Sequence, residues 1–196
     1  MNTTAVVRDY LLYFVMPLWL VAGAADWWCH HRSDIERTSG TPESILHLML
    51  LAEGGVAVLA GVFLRINALV LAVMILAFVA HEITSYADLR YAFGRREVAP
   101  IEQKVHDYLA IVPLLALSFV LVLNWGQFLA LAGLGPEPAD FSVVLNPDQL
   151  PRTYVVTLLG AIVLFEILPY GEELWRCLDR RSRDLPRRQP VLFPGP

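Results

Sequence analysis

The chain has five histidines, His30, His31, His47, His81 and His106, and acidic residues stand beside them at helical intervals. Asp26 lies four residues before His30, Glu43 four before His47, and Glu102 four before His106. Residues four apart share one face of an α-helix. His81 is followed at once by Glu82, with Asp88 seven residues after His81 on the same stripe. Imidazole and carboxylate together bind iron, zinc or manganese. Asp26, His30, Glu43, His47, His81, Glu82, Glu102 and His106 are therefore the candidate ligands, enough for two metal ions. No catalytic residue is assigned from the sequence.

The neighbours of these residues have lesser expected roles. His31 is turned about 100° from His30 and should face the interface. With His31, residues Asp88, Arg90 and Asp107 are expected to orient the ligands rather than bind metal. Glu53 and Glu166 sit deeper in apolar runs, where they could extend the site, relay protons or stay protonated and hydrogen-bonded. Glu172-Glu173, followed by Arg176, reads as a salt-bridged helix end.

The elements that must position these groups follow from composition. The 196 residues are 56% hydrophobic and 17% charged, with a mean hydropathy of +0.51. Soluble domains carry about 25% charged residues. Disorder and an ordinary cytosolic enzyme are excluded, and two cysteines are too few for a disulfide framework. The net charge of −4 says little, and no nucleic-acid partner is expected. Five apolar runs approach the roughly 20 residues needed to cross a bilayer: Tyr10 to Trp28, Pro42 to Leu64, Ile66 to about Tyr86, a run from Pro100 that is uncharged between Tyr108 and Pro136, and Tyr154 to about Trp175. No period-2 alternation suggests a barrel, and there are no internal repeats. Thr41-Pro42-Glu43 and Ala99-Pro100 read as helix starts. Ser33 and Glu36 have capping-box spacing.

The expected fold is an all-α integral membrane protein of five transmembrane helices, the first four bundled around a polar or metal site and the fifth packed against them. Residues 1–178 form the spanning domain, and 179–196 a basic, Pro- and Arg-rich tail expected to be disordered. Lys and Arg set the orientation. Twelve lie in the loops at 29–43 and 87–104 and in the tail, against Arg8, Arg65 and Arg152 on the other side. This is a positive-inside pattern. It places the amino terminus outside, the carboxyl terminus in the cytoplasm, and every histidine at the cytoplasmic ends of the first four spans, in a plasma or inner membrane. Ala22-Gly23-Ala24 imitates a signal cleavage site, but cleavage would put Arg90, Arg95 and Arg96 on the wrong side, so the first span is read as uncleaved.

A lone acid and histidine four apart is ordinarily an ion pair. Four such groups at one depth on four spans call for another account, because ionisable groups within a bilayer are expensive and generally functional. The arrangement is similar in chemistry and placement to the histidine-rich membrane oxygenases, such as fatty-acid desaturases and alkane hydroxylases. Their HxxxH and HxxHH boxes are absent here, and the spacing differs from the Glu-x-x-His of ferritin-like proteins, so the similarity favours iron without assigning a family. The expected function is a membrane metalloenzyme with two irons, or alternatively zinc or manganese. It would be an oxidoreductase of the hydroxylase or desaturase kind, acting on a lipid-like substrate with a redox partner. The bilayer, and anionic lipid at the basic tail, complete the expected partners. Alternatives are a zinc-dependent lipid hydrolase, a metal or proton transporter, and a haem carrier. The arginine distribution carries its own test. A reporter fused after Pro196 should be active only in its cytoplasmic form, and activity of a periplasm-dependent reporter would invert the site's placement.

Overall fold

The computed structural model describes residues 2–147 and 150–184. Five helices are long and apolar enough to cross a membrane: α1 (Thr3–Arg32), α2 (Thr41–Phe63), α3 (Ala68–Ala92), α4 (Pro100–Leu123) and α5 (Arg152–Asp184). Among the described residues there is no β-strand, only isolated bridges such as Leu64 with Leu145. The outer surfaces are apolar, with Leu76 68% and Val122 66% exposed, while Glu43 and Glu173 are wholly buried. That distribution inverts the soluble pattern and suits helices facing an apolar medium.

Local chemistry sets the helix limits. Gly40 precedes α2 with φ +70°, a conformation glycine reaches without strain. Pro42 then occupies the first turn, where its missing N–H costs nothing. The Asn67 side chain caps α3 by accepting from the Val70 amide at 3.1 Å. The Ser33–Glu36 capping box does not form. Asp34 adopts φ 49°, a short 3-10 turn follows at Ile35–Arg37, and the Ser33 hydroxyl donates to the His30 carbonyl instead. Ile35, fully buried, anchors this turn.

Two helix limits differ from the sequence reading. The uncharged run to Pro136 does not continue as one helix. Asn124 leaves the helical backbone, its amide donates to the Val120 carbonyl, and a short helix, Trp125–Leu131, follows. At the far end, α5 continues through Asp184, so residues 179–184 are helical and not tail. Ion pairs of Arg183 with Asp179 and Arg180 with Asp184, at favourable i,i+4 spacing, accompany this extension. The rest of the expected tail lies outside the described residues.

The fifth helix is also more than an outer support for a four-helix bundle. Tyr154 donates to the Leu12 carbonyl at 2.8 Å. Near its middle, α5 contains a π-helical turn, Val163–Ile167, a form frequent at functional positions. Glu166 on that turn lies so close to Gly23 of α1 that a Cβ there would collide with its carboxylate. One turn on, the Tyr170 hydroxyl is 3.1 Å from both the Gly23 carbonyl and Asp26 Oδ2. Tyr154, Glu166 and Tyr170 of α5 thus all meet α1.

The end of the molecule remote from the histidines is closed by the segment after the short helix. The Arg65 amide donates to the Val144 carbonyl, and the Asn146 amide to the Phe63 carbonyl. Asn67 Nδ2 donates to the Ser142 carbonyl at 2.8 Å. The hydroxyl and amide of Ser142 hold the Asp140 carboxyl below the usual range, and Arg65 pairs with it. Asn67 is therefore both cap and clasp, and only 2% exposed. Asn67→Ala should cost about 1–2 kcal/mol, read as a lower melting temperature in detergent. Arg65→Ala, which breaks a half-exposed pair and an exposed hydrogen bond to the Ser142 hydroxyl, should cost less than about 1 kcal/mol.

Candidate functional site

At the opposite end, α1 and α2 bring His30 and His47 face to face. Their rings are parallel within 6° with centroids 4.1 Å apart, and both are buried. One carboxylate from α5 holds the pair. Glu173 Oε2 is 3.1 Å from His30 Nδ1, and its Oε1 is 2.8 Å from His47 Nδ1. An ionised carboxylate only accepts, so each ring donates its Nδ1–H to Glu173. In the neutral tautomer this leaves the Nε2 lone pair of each histidine free, the arrangement of a metal-binding imidazole.

Both Nε2 atoms lack a well-directed hydrogen bond and point among carboxylates. His30 Nε2 is 3.5 Å from Asp26 Oδ1 and 3.6 Å from Glu102 Oε1. His47 Nε2 is 3.2 Å from Asp88 Oδ1 and 4.0 Å from Glu43 Oε1. His106 Nε2, from α4, is 2.9 Å from Asp26 Oδ1. Among the described residues, two groups have ligand atoms close enough to hold an ion: Asp26, His30 and His106, and His30, Glu43 and His47.

A single guanidinium sits among these acids. Arg96 reaches in from the loop between α3 and α4. Its Nη2 is 2.6 Å from Glu43 Oε1 and 2.5 Å from Glu102 Oε1, with the side chain 2% exposed. Burial works against its charge, but hydrogen bonds to Glu102 and Glu43 outweigh that and hold the group above its ordinary value. One cation does not balance the cluster. Asp26, Glu43, Asp88, Glu102 and Glu173 are all buried. Ionised, these five carboxylates exceed Arg96 by four charges with neutral imidazoles, and by one even with His30, His47 and His106 all protonated. Protons on the carboxylates or bound cations must supply the remainder, because uncompensated buried charge is costly. The cluster opens on a cavity of about 240 Å³ lined by Asp26, His47, Asp88 and His106 at its polar end.

Six of the eight candidate ligands are thus together: Asp26, His30, Glu43, His47, Glu102 and His106. His81 and Glu82 are apart from them, in neither ligand group. His81 is two turns deeper on α3 than Asp88, about 10 Å by helix rise, with its ring against the edge of Trp19. Asp88 takes the place expected of that pair and touches His47 directly. Of the other expected orienting residues, His31 is exposed and lies against Trp27, Arg90 is exposed, and exposed Asp107 pairs with Lys104. Glu53 accepts from the Thr84 hydroxyl at 2.8 Å, and Glu166 is buried beside Gly23.

The reading of Glu172-Glu173 as a salt-bridged helix end holds for Glu172 alone, which pairs with Arg176. Glu173 points inward. A signal for this was present: Glu166, Tyr170, Glu173 and Cys177 recur at intervals of four, three and four, and all are buried. Arg96 carried no such signal, because adjacent Arg95 has the same side chain and only the loop decides which turns in.

Arg96→Met would leave Glu43 and Glu102 facing each other with no cation. A loss of about 3–5 kcal/mol is expected, seen as a large drop in melting temperature, with Arg96→Lys recovering only part because one ammonium cannot reproduce the fork. An unchanged melting temperature would remove Arg96 as the internal counter-ion. Comparison of the chain with protein-family models, curated proteins and solved structures found no match, so the chemistry must be argued from this geometry.

Proposed function

We propose that the chain is a membrane metalloenzyme whose buried centre, at the cytoplasmic ends of its helices, holds two metal ions and oxidises a hydrophobic substrate. Asp26, His30 and His106, with Glu102 near, would bind one ion, and Glu43, His47 and Asp88 the other. The observation that carries the reading is the Glu173 bridge. A carboxylate that takes the Nδ1 protons of two stacked histidines leaves two Nε2 atoms aimed at acids that cannot all be satisfied by one another. Two divalent ions would also offset the four excess negative charges counted with neutral imidazoles.

The donor set of imidazole and carboxylate suits iron, manganese or zinc, and iron is favoured because it supplies redox chemistry with oxygen. Hydroxylation of a C–H bond by O₂ puts one oxygen atom into the substrate and releases the other as water. It consumes two electrons and two protons from outside, hence a redox partner. The chain's own residues hold the ligands, exclude bulk water and present an apolar cavity beside the centre. The arginines at the cytoplasmic end of α5 would meet anionic headgroups, at about 1 kcal/mol for each residue near the surface.

Metal analysis with a visible spectrum of the purified protein tests this. Close to two irons per chain are expected, with oxygen consumed when reductant and lipid are supplied. His47→Ala and His106→Ala should lose most of the metal. Glu173→Gln, which keeps the shape but not the bridging charge, should weaken binding roughly 10- to 100-fold. Arg152→Ala, remote from the centre, should change nothing. Zinc alone, inert to oxygen, would replace this reading with a lipid hydrolase in which zinc activates water. No metal, with the alanine variants folded and stable, would reduce the cluster to a polar plug.

A further inference from the structure

A second cavity, of about 190 Å³, lies beyond the first along the same helices, toward Leu11 and Leu12 of α1 and Leu117 and Val120 of α4. The two share Met16, Trp19, Gly54, Val58 and His81 as walls. Trp19 is the largest side chain among these shared walls. The Trp19 indole meets His81 edge-on at 6.4 Å, and its Cη2 and Cζ2 lie 3.0 and 3.1 Å from where a Cβ on Gly54 would be. Seven residues on, Gly61 leaves open space, with only Met74 Cε, 3.7 Å away, near its missing Cβ. Glycine at these two positions therefore keeps room between the helices that any side chain would take.

We propose that these cavities form one tunnel for a single unbranched-chain amphiphile with an uncharged hydrogen-bonding head, its tail running past Trp19 toward Leu11. Three observations fix the ligand class. The first is polarity. The cavity under the cluster is edged by Asp26, His47, Asp88 and His106, whereas the second is mainly apolar, with Arg8 and Glu53 among its walls; Glu53 accepts from Thr84 through Oε1 and has Oε2 unpartnered. Head and tail therefore have assigned ends. The second is Glu166, which lines the first cavity, is 7% exposed, and has Oε1 without a hydrogen-bond partner. A buried oxygen left without a partner is costly, and a hydroxyl or amide head can donate to it or accept from it, whereas a carboxylate head would add a negative charge beside acids that already outnumber their cation. The third is size. At roughly 30 Å³ per small group, the two volumes take a little over a dozen heavy atoms, one chain and not the two of a membrane phospholipid. From Gly23 to Leu11 the helix rises about 18 Å, comparable with half the ~30 Å hydrocarbon core. The inference rests on the metal-centre reading only for which part of the ligand reacts, not for its binding.

The test uses tetradecanol carrying a photoreactive diazirine either near its hydroxyl or at its terminal carbon, with labelled peptides found by mass spectrometry. The purified full-length protein is labelled as isolated and after chelation. The head-side probe should label residues around Leu50 and Leu109, and the terminal probe residues around Met74 and Leu117, both displaced by unlabelled tetradecanol more readily than by tetradecanoate. Gly61→Leu should cut capture of the terminal probe by about tenfold while leaving an eight-carbon alcohol captured as before. Ala116→Phe, filling the same cavity from α4, should do the same if Gly61→Leu does not fold. Terminal label spread over Leu76 and Val122 on the outer surface, undisplaced by tetradecanol, would overturn the tunnel even with metal bound. Undiminished, cavity-specific labelling of a protein that holds no metal would keep the tunnel and retire the metal centre.

Discussion

The carboxylate of Glu173 is the point on which the buried end of the molecule depends. Stacked neutral imidazoles gain little from each other's faces, and a pair drawn into a common protonated state would repel. Glu173 resolves this by accepting from both at once, at 3.1 and 2.8 Å, which fixes their tautomers and their tilt together. Asp26, Glu102, Asp88 and Glu43 all approach the two rings so aligned. Asp26, Glu102 and His106 are disposed about one ring, and Asp88 and Glu43 about the other. Because Glu173 belongs to α5, the first, second and fifth helices are tied at a single residue, and α3 and α4 join through the acids that approach the same rings.

The second constraint is charge. A bilayer leaves no solvent to screen acids turned inward, so each must meet a cation, a proton or a donor. Arg96 meets two of them from a loop, an economical use of the guanidinium fork. Tyr170 places its hydroxyl between the backbone of Gly23 and Asp26, holding the Asp26 face of α1 against α5. Glycine at position 23 leaves the room that the Glu166 carboxylate takes.

Much of the architecture was legible because hydropathy reads directly onto helices of this length. The carboxylate–histidine pairs at four-residue spacing were legible for the same reason that helices are regular, and Asp26–His30, Glu43–His47 and Glu102–His106 converge as that spacing implied. His81-Glu82 failed because adjacency in sequence says nothing of depth. On α3 the level of the cluster is reached two turns later, at Asp88. Glu173 was hidden by its neighbour, since Glu172 and Arg176 do form the surface pair that their spacing suggests. The period linking Glu166, Tyr170 and Glu173 outweighs that local pairing once the whole helix is considered. Arg96 could not have been read at all, because its direction comes from the turn at Gly94, with φ +87°, and the helix ends on either side.

The chain order of the bridge has a consequence in time. His47 and Glu173 are separated by 126 residues. At roughly 5–20 residues per second of synthesis, about 6–25 s pass between the emergence of the two. During that interval α3 and α4 are made, while His30 and His47 remain without the carboxylate to which both donate. Until α5 arrives those two rings must stay hydrated or find another acceptor, because a buried polar group without a partner is costly. Assembly of the polar centre therefore waits on α5, which follows the other four helices in the chain.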